Sequence, residues 1–359
     1  MDFQKCALIA HGVMSGFLHV KTGGTHREMG VDFGRATREI LHEFLSESAK
    51  FYRRHATHDA AYARRYAMRN FFSHTQRRFP SYLEETRGIA EGAGLTFEDI
   101  FFLTADEELS TLLWKQKISE KCSSAVVRTK NGLLLAHNED YPPHYLGRLV
   151  IVDAEPNNAP AFLSVTYPYI LTGPGCGFNS SGLAFSANSL MFPPRRRGIP
   201  SNFVLRDVYR ARRVSEVKKI MVTRALMGNA AVIASVKENR AIVVEASLND
   251  TAVITMGKQN FLAHTNHVLA DALDRRTETP TVGSKNRLAA LERGLADQIL
   301  DAAQLRRIFS SKKNGLCRIV RGKADSCTIA SVILDPKRKV MYVAKRGPKG
   351  HAFQPYRMK

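Results

Sequence analysis

The chain has 359 residues, 44% of them hydrophobic, enough for a large buried core. No apolar run reaches the ~18 residues needed to cross a bilayer, so no membrane span is expected. The formal charge of +20 is unevenly placed: residues 1–121 carry 17 Lys+Arg against 16 Asp+Glu, and residues 122–359 carry 36 against 17.

Taken in chain order, residues 7–18 are only partly apolar and His11 interrupts them, so no secretory signal is expected. Thr25-His26-Arg27-Glu28 is a capping-box pattern. Phe33, Ala36, Ile40 and Phe44 then recur at helical spacing and predict a helix over 25–45. Residues 58–78 carry helix formers with recurring Arg. Thr96-Phe97-Glu98-Asp99 opens a further helix with Phe102, Ala105, Leu109 and Leu112–Leu113 on one face. Everything before Cys122 therefore reads as helical.

At Cys122 the character changes. Ser124–Thr129 and Leu133–His137 flank Lys130-Asn131-Gly132, a strong hairpin signal. Val232–Val236 with Ala241–Glu245, Ala252–Met256 with Asn260–His264, and Thr328–Leu334 with Val340–Ala344 read as three further strand pairs. Helical stretches at about 202–226 and 284–310 interrupt them. Sheets with segregated helices predict a layered α+β fold.

The basic excess after Cys122 reads first as solvated faces. The sharper reading is attraction for an anion: an acidic metabolite, a CoA-type molecule or a nucleic acid. Arg195-Arg196-Arg197 looks like a loop, and Arg206, Arg210 and Arg213 would share one side of a helix. No nucleic-acid motif accompanies them, so nucleic acid is not the expected partner. Five cysteines (6, 122, 176, 317, 327) have no paired spacing, which fits a reduced, cytoplasmic setting. A papain-like set from Cys122, His264 or His267, and Asn266 would need residues too close in sequence. A zinc set from Cys317, Cys327, His264 and His267 lacks the usual ligand spacing. No metal is expected.

The ordered motifs carry more. Cys122-Ser123-Ser124-Ala125-Val126-Val127 leads through the turn to His137-Asn138-Glu139-Asp140-Tyr141. Then come Gly177–Ala184, Asn188, His264-Thr265-Asn266-His267, Ser284-Lys285-Asn286-Arg287 and Thr328–Val332. This series resembles the acyl-coenzyme A:6-aminopenicillanic acid acyltransferase family, the C45 peptidase-like branch of the N-terminal nucleophile (Ntn) hydrolases, which includes β-alanyl-dopamine and carcinine hydrolases. Gly24-Thr25 ahead of Gly30 and Gly34 resembles that family's helical pro-segment.

The resemblance implies a four-layer αββα fold and a chain that cuts itself between Lys121 and Cys122. Residues 1–121 would form a helical pro-segment or small subunit, and residues 122–359 the catalytic subunit, the two staying associated. Cys122 would supply both a thiol, of pKa roughly 8.5, and a new α-amine, of roughly 7.7–8.0, to act as its base. Asp140, eighteen residues on, would hold that amine, and Asn266 would donate to the developing oxyanion. Asn138, Asn188 and Arg287 are weaker candidates for substrate binding, with packing or helix-surface roles set against them. Ser284 reads as a helix cap. Lys121 departs from the family's usual Gly, whose freer backbone suits the strained acyl shift.

The first expected function is hydrolysis of a small N-acyl amide through a cysteinyl thioester, with no cofactor. The second is acyl transfer to an amine from a CoA thioester, used as a substrate. The third is a basic, non-catalytic binding protein on the same fold.

Overall fold

The computed structural model describes residues 16–113, 122–296, 300–313, 315–319, 326–346 and 352–359. Lys121, and with it the Lys121–Cys122 bond, lies outside them. Strand β1 (Leu18–Gly24) leads into α1 (His26–His55), then α2 (Ala60–Ala67), a π-helical turn (Met68–Phe72), α3 (Ser73–Arg78), α4 (Pro80–Ala93), α5 (Phe97–Thr104) and α6 (Asp106–Leu113). Thr25 and Thr96 form the capping boxes their sequences predict.

After Cys122 come β2 (Ser123–Thr129), β3 (Gly132–Tyr141), β4 (Val150–Pro156), β5 (Phe162–Thr166), β6 (Cys176–Asn179) and β7 (Leu183–Ser189). Helices α7 (Ser201–Val208) and α8 (Val214–Met221) precede β8 (Asn229–Ser235), β9 (Arg240–Ala246), β10 (Thr251–Thr255) and β11 (Phe261–His264). Helices α9 (Val282–Leu295) and α10 (Ala302–Phe309) then lead to β12 (Cys327–Asp335), β13 (Val340–Lys345) and β14 (Gln354–Arg357).

The strands form two sheets, one ordered β1-β4-β5-β6-β7-β8-β9-β10 and the other β11-β2-β3-β12-β13-β14. Strands β2 and β3 pack across onto β7 and β8, so the sheets lie face to face. Helix α8 covers the outer side of β8 and β9, and α9 and α10 cover β2, β3, β11 and β12. Strands β8 and β12 are buried along their whole length, as strands covered on both faces must be. This is the α+β, four-layer αββα arrangement that the sequence predicts.

Three features differ from the reading of the sequence. First, residues 18–24, ahead of Cys122, are a strand that pairs in parallel with β4, at the edge of the larger sheet. Second, β10 and β11 are not a hairpin. Strand β10 pairs with β9 in one sheet and β11 with β2 in the other. The polar link between them carries the chain across layers, and alternation alone cannot select a strand's partner. Third, the stretch at 202–226 is two helices. The chain turns after Val208, where Asp207 grips Arg210 through two hydrogen bonds (2.8 and 2.9 Å). Arg206, Arg210 and Arg213 therefore form no common basic face. Arg206 is buried, and Arg213 precedes α8 as its N-cap.

The helices before Cys122 are built into the fold. Helices α1 and α4 cross at Gly30, Gly34, Gly88 and Gly92. A Cβ at Gly34 would come within 2.2 Å of the Ile89 carbonyl, and one at Gly92 within 2.1 Å of that of Val31. That close approach lets α4 press Glu85 inward. Glu85 is fully buried and accepts hydrogen bonds from the Thr172 amide (2.8 Å), from Arg206 Nε (3.3 Å) and from Arg206 Nη2 (3.2 Å). Its other neighbour is the half-buried His26, whose Nδ1 lies 2.8 Å from Glu85 Oε2. Burial opposes the charge on Glu85, but Arg206, His26 and Thr172 together hold its carboxyl below the usual range. One hydrophobic core runs from Phe33 and Phe101 through Phe162 to Val232 and Val332.

Candidate active site

Cys122 stands immediately before β2 and is buried. Alternation along β3 sends His137 and Glu139 to the face between the sheets and Asn138 and Asp140 to the helix side. The Cys122 thiol donates to Glu139 Oε1 at 3.3 Å. Glu139 also accepts from Tyr167 Oη at 2.8 Å and faces His137 Nε2 at 2.9 Å. Burial works against the Glu139 carboxylate, but His137, Tyr167 and the thiol outweigh it and hold the carboxyl below its ordinary range. Burial, together with Glu139 and Asp140, pushes the Cys122 thiol well up, while the Asp140 N–H directed at the sulfur opposes this. With its nitrogen still in a peptide bond, Cys122 is therefore a neutral thiol.

Asp140 sits at a β-bulge, where the register with β12 slips between Thr328 and Ala330. Such bulges re-aim side chains. Thr328 Oγ1 donates to Asp140 Oδ1 at 2.6 Å. Asp140 Oδ2 is buried without a hydrogen-bond partner. Burial raises the carboxyl to about 6, against the opposing charge of Arg287 and the Thr328 bond.

Asn266 lies just past β11. Its Oδ1 accepts from Arg287 Nη2 at 2.8 Å, and its Nδ2 donates to the Ser189 carbonyl at 3.0 Å. One amide hydrogen remains for another acceptor. Arg287 is buried, with its Nε on Ser123 Oγ at 3.1 Å, so it braces Asn266 against the nucleophile strand. It does not lie on the helix surface. The cap of α9 is Thr281, and Ser284 lies three residues inside, where its Oγ accepts from the Asn266 backbone at 2.8 Å.

The remaining weak candidates are held by internal bonds. Asn138 donates from Nδ2 to the carbonyls of Phe309 (2.9 Å) and Leu316 (2.6 Å), on the side of β3 away from the thiol. Asn188 spans the two sheets: its Oδ1 accepts from Ser124 Oγ (2.9 Å) and its Nδ2 donates to the His264 carbonyl (3.1 Å). Neither Asn138 nor Asn188 is placed to greet a substrate in this state.

His264 Nε2 faces Glu245 at 2.9 Å, and His267 Nδ1 faces Ser284 Oγ at 2.8 Å. The papain-like and zinc groupings that use these histidines do not assemble. The compact set of donor atoms among the described residues is instead Cys122, His137 and Glu139, all within 4.8 Å of one another. These atoms are already satisfied by one another through hydrogen bonds. His137 and Glu139 escape a reading built on single motifs, although their i, i+2 spacing on the strand that carries Asp140 marks a shared face.

A fold of two facing sheets with a buried cysteine at the head of an inner strand defines an enzyme class, the Ntn-type hydrolases and acyltransferases. The sequence profile described as acyl-coenzyme A:6-aminopenicillanic acid acyl-transferase matches residues 127–349, more than half of the chain, and the chain belongs to that family. The match holds Asn138, Asp140, Asn188, Asn266 and Arg287, and Cys122 lies just ahead of its first residue.

The chain is 28% identical over 215 residues to the β-alanyl-dopamine/carcinine hydrolase of Drosophila melanogaster, spanning 56% of this chain and 56% of the relative. It is 24% identical over 324 residues to the 40 kDa form of acyl-coenzyme A:6-aminopenicillanic-acid-acyltransferase of Emericella nidulans, with 89% of each chain covered. Among solved structures, the R18L variant of conjugated bile acid hydrolase from Clostridium perfringens overlaps 66% of this chain and 97% of its own, at 13% identity and a TM-score of 0.46. Penicillin V acylase from Agrobacterium tumefaciens overlaps 62% and 83%, at 13% identity and a TM-score of 0.34. Among the described residues no helix is long and apolar enough to cross a membrane.

Proposed function

We propose that the chain cuts itself before Cys122 and then hydrolyses a small N-acyl amide through a thioester on Cys122. The observation that carries this reading is the setting of the thiol: buried at the head of β2, under the Asp140 N–H and within the field of the Asp140 carboxylate, whose Oδ2 has no hydrogen-bond partner. Cutting would place an ammonium next to that carboxylate, relieving both its isolation and the charge repulsion on the sulfur. In its neutral form, reached by loss of one proton to water, the amine then takes the thiol proton as the sulfur attacks the amide carbon. The oxyanion would receive the spare hydrogen of Asn266, and the amine would return the proton to the leaving nitrogen. Water resolves the thioester.

The fragment 1–121 would stay bound after the cut, because β1 is hydrogen-bonded to β4 and Glu85 to Arg206. A reducing compartment such as the cytoplasm suits the free thiols of Cys122, Cys176, Cys317 and Cys327. Denaturing intact-mass measurement of the wild type beside Cys122→Ala tests the reading. Two fragments meeting at Lys121–Cys122 in the wild type alone are expected, and a whole wild-type chain would refute it.

Acyl transfer from a CoA thioester is the second reading. It is favoured by the excess of 36 Lys+Arg over 17 Asp+Glu in residues 122–359, which suits a polyanionic donor. Accumulation of an N-acyl amine rather than free acid, on supplying an acyl-CoA and an amine, would select it.

A further inference from the structure

Before the cut there is no free amine, so the first proton transfer from Cys122 needs another base. We propose that Glu139, paired with His137, is the catalytic base of the self-cleavage step and becomes dispensable once the α-amine of Cys122 is free. This inference rests on the self-cutting reading above and adds a base to it.

Among the described residues, the carboxylate that accepts from the thiol is that of Glu139, at 3.3 Å. The state of His137 follows from the hydrogen bonds around it. Asn188 Nδ2 points at the His264 carbonyl, which can only accept, so Asn188 Oδ1 faces Ser124. The single Ser124 hydroxyl hydrogen is then committed to Asn188. Ser186 Oγ donates to Ser124 Oγ at 3.0 Å, and His137 Nδ1, 2.9 Å away, must donate to it as well. Its Nε2 and Glu139 Oε2 share the proton between them, and the Cys122 thiol, Glu139 and His137 form one hydrogen-bonded unit. Tyr167 and Tyr141 also face this unit, and the Asp140 charge acts on it from the other face of β3.

The step balances within that unit. The thiol proton passes to Glu139, leaving a thiolate beside the Glu139–His137 pair and under the Asp140 N–H. The sulfur bonds to the Lys121 carbonyl carbon. As the carbon–nitrogen bond breaks, Glu139 returns the proton to the Cys122 nitrogen, giving a thioester and a free amine. Water then cleaves the thioester, releasing the Lys121 carboxyl group and restoring the thiol.

The test is a pulse of cell-free synthesis of the full chain, with the uncut fraction followed by intact mass for the wild type, Glu139→Gln, Glu139→Asp, Asp140→Asn and Cys122→Ala. Glu139→Gln should slow the cut by ~10²-fold or more, the order contributed by a positioned acid–base group, with Glu139→Asp between it and the wild type. In a second set, a recognition sequence for an arginine-specific processing protease occupies positions 118–121, so the cut is made from outside. In the externally cut Glu139→Gln chain, alkylation by iodoacetamide, located by peptide mass, should still fall on Cys122, since the amine is now the base. Protection of the buried Cys176, Cys317 and Cys327 in the same digest shows that the variant folds.

Self-cleavage of Glu139→Gln at the wild-type rate overturns the inference. So does a block by Asp140→Asn alone, or equal loss of self-cleavage and of alkylation in the externally cut Glu139→Gln chain. A wild type that never cuts, or a Cys122→Ala chain that does, overturns the underlying reading instead.

Discussion

Glu85 and Arg206 stand 121 positions apart, on opposite sides of Cys122, and their buried side chains meet with Arg206 Nη2 donating to Glu85 Oε2 at 3.2 Å. Around them Tyr82 donates to Asp207 at 2.8 Å and Asn202 to the Thr104 carbonyl at 2.9 Å. Polar contacts of this kind join the helices before Cys122 to α7 after it, within a shared apolar core.

Removing one partner of a buried ion pair strands the other. Glu85→Ala should cost about 3–5 kcal/mol, because Arg206 keeps its charge without its counter-ion. Denaturant unfolding of the variant in the Cys122→Ala background would measure this, free of any effect of the cut. A loss below ~1 kcal/mol would mean that water reaches Arg206 in the variant.

If backbone strain at residue 121 limits the cut, Lys121→Gly should speed it severalfold, since glycine reaches conformations closed to lysine. The measurement is the fraction of uncut chain against time. An unchanged rate would place the slow step in the chemistry at Cys122.

Asn266→Ala should lower kcat by ~10²–10³ if its spare amide hydrogen meets the oxyanion. KM should change little, because the interaction forms only as charge develops. A drop below threefold would reassign Asn266 to bracing Ser189 and Arg287.

The Asp140 carboxyl is pushed up to about 6 by burial, from an ordinary 3.8, despite Arg287 and Thr328. Because the folded value is the higher one, this group favours folding at low pH, and that contribution is lost as pH rises through about 6. In the uncut Cys122→Ala background, Asp140→Asn should therefore stabilise more at pH 7.5 than at pH 4.5, by roughly 2 kcal/mol at 1.36 kcal/mol per unit. Denaturant melts at the two pH values check the sign. In the cut wild type the same substitution should instead abolish turnover, because the new ammonium loses its carboxylate.

Much of the fold is legible locally. The capping boxes at Thr25 and Thr96 and the Asn131-Gly132 hairpin are decided by hydrogen bonds and backbone angles within a few residues, so the chain alone specifies them. The break in character at Cys122 also marks where the inner strands begin. Strand β1 was not legible, because seven residues without strict alternation earn their strand only from β4, far along the chain. Nor was the separation of β10 from β11, since either could satisfy its backbone against several partners.

The candidate site divides in the same way. Cys122, Asp140 and Asn266 are singled out in the sequence by the family resemblance of their ordered motifs, as the proposed thiol, carboxylate and amide donor. The burial of Arg287 and the inward turn of Asn188 depend on how the layers pack, and the contact of Glu139 with the thiol on the register of β2 against β3. The sequence by itself determined the local elements and the chemically able residues. Tertiary structure alone decided which of those residues meet, because burial and hydrogen-bond pairing are properties of the packed layers and of no single segment.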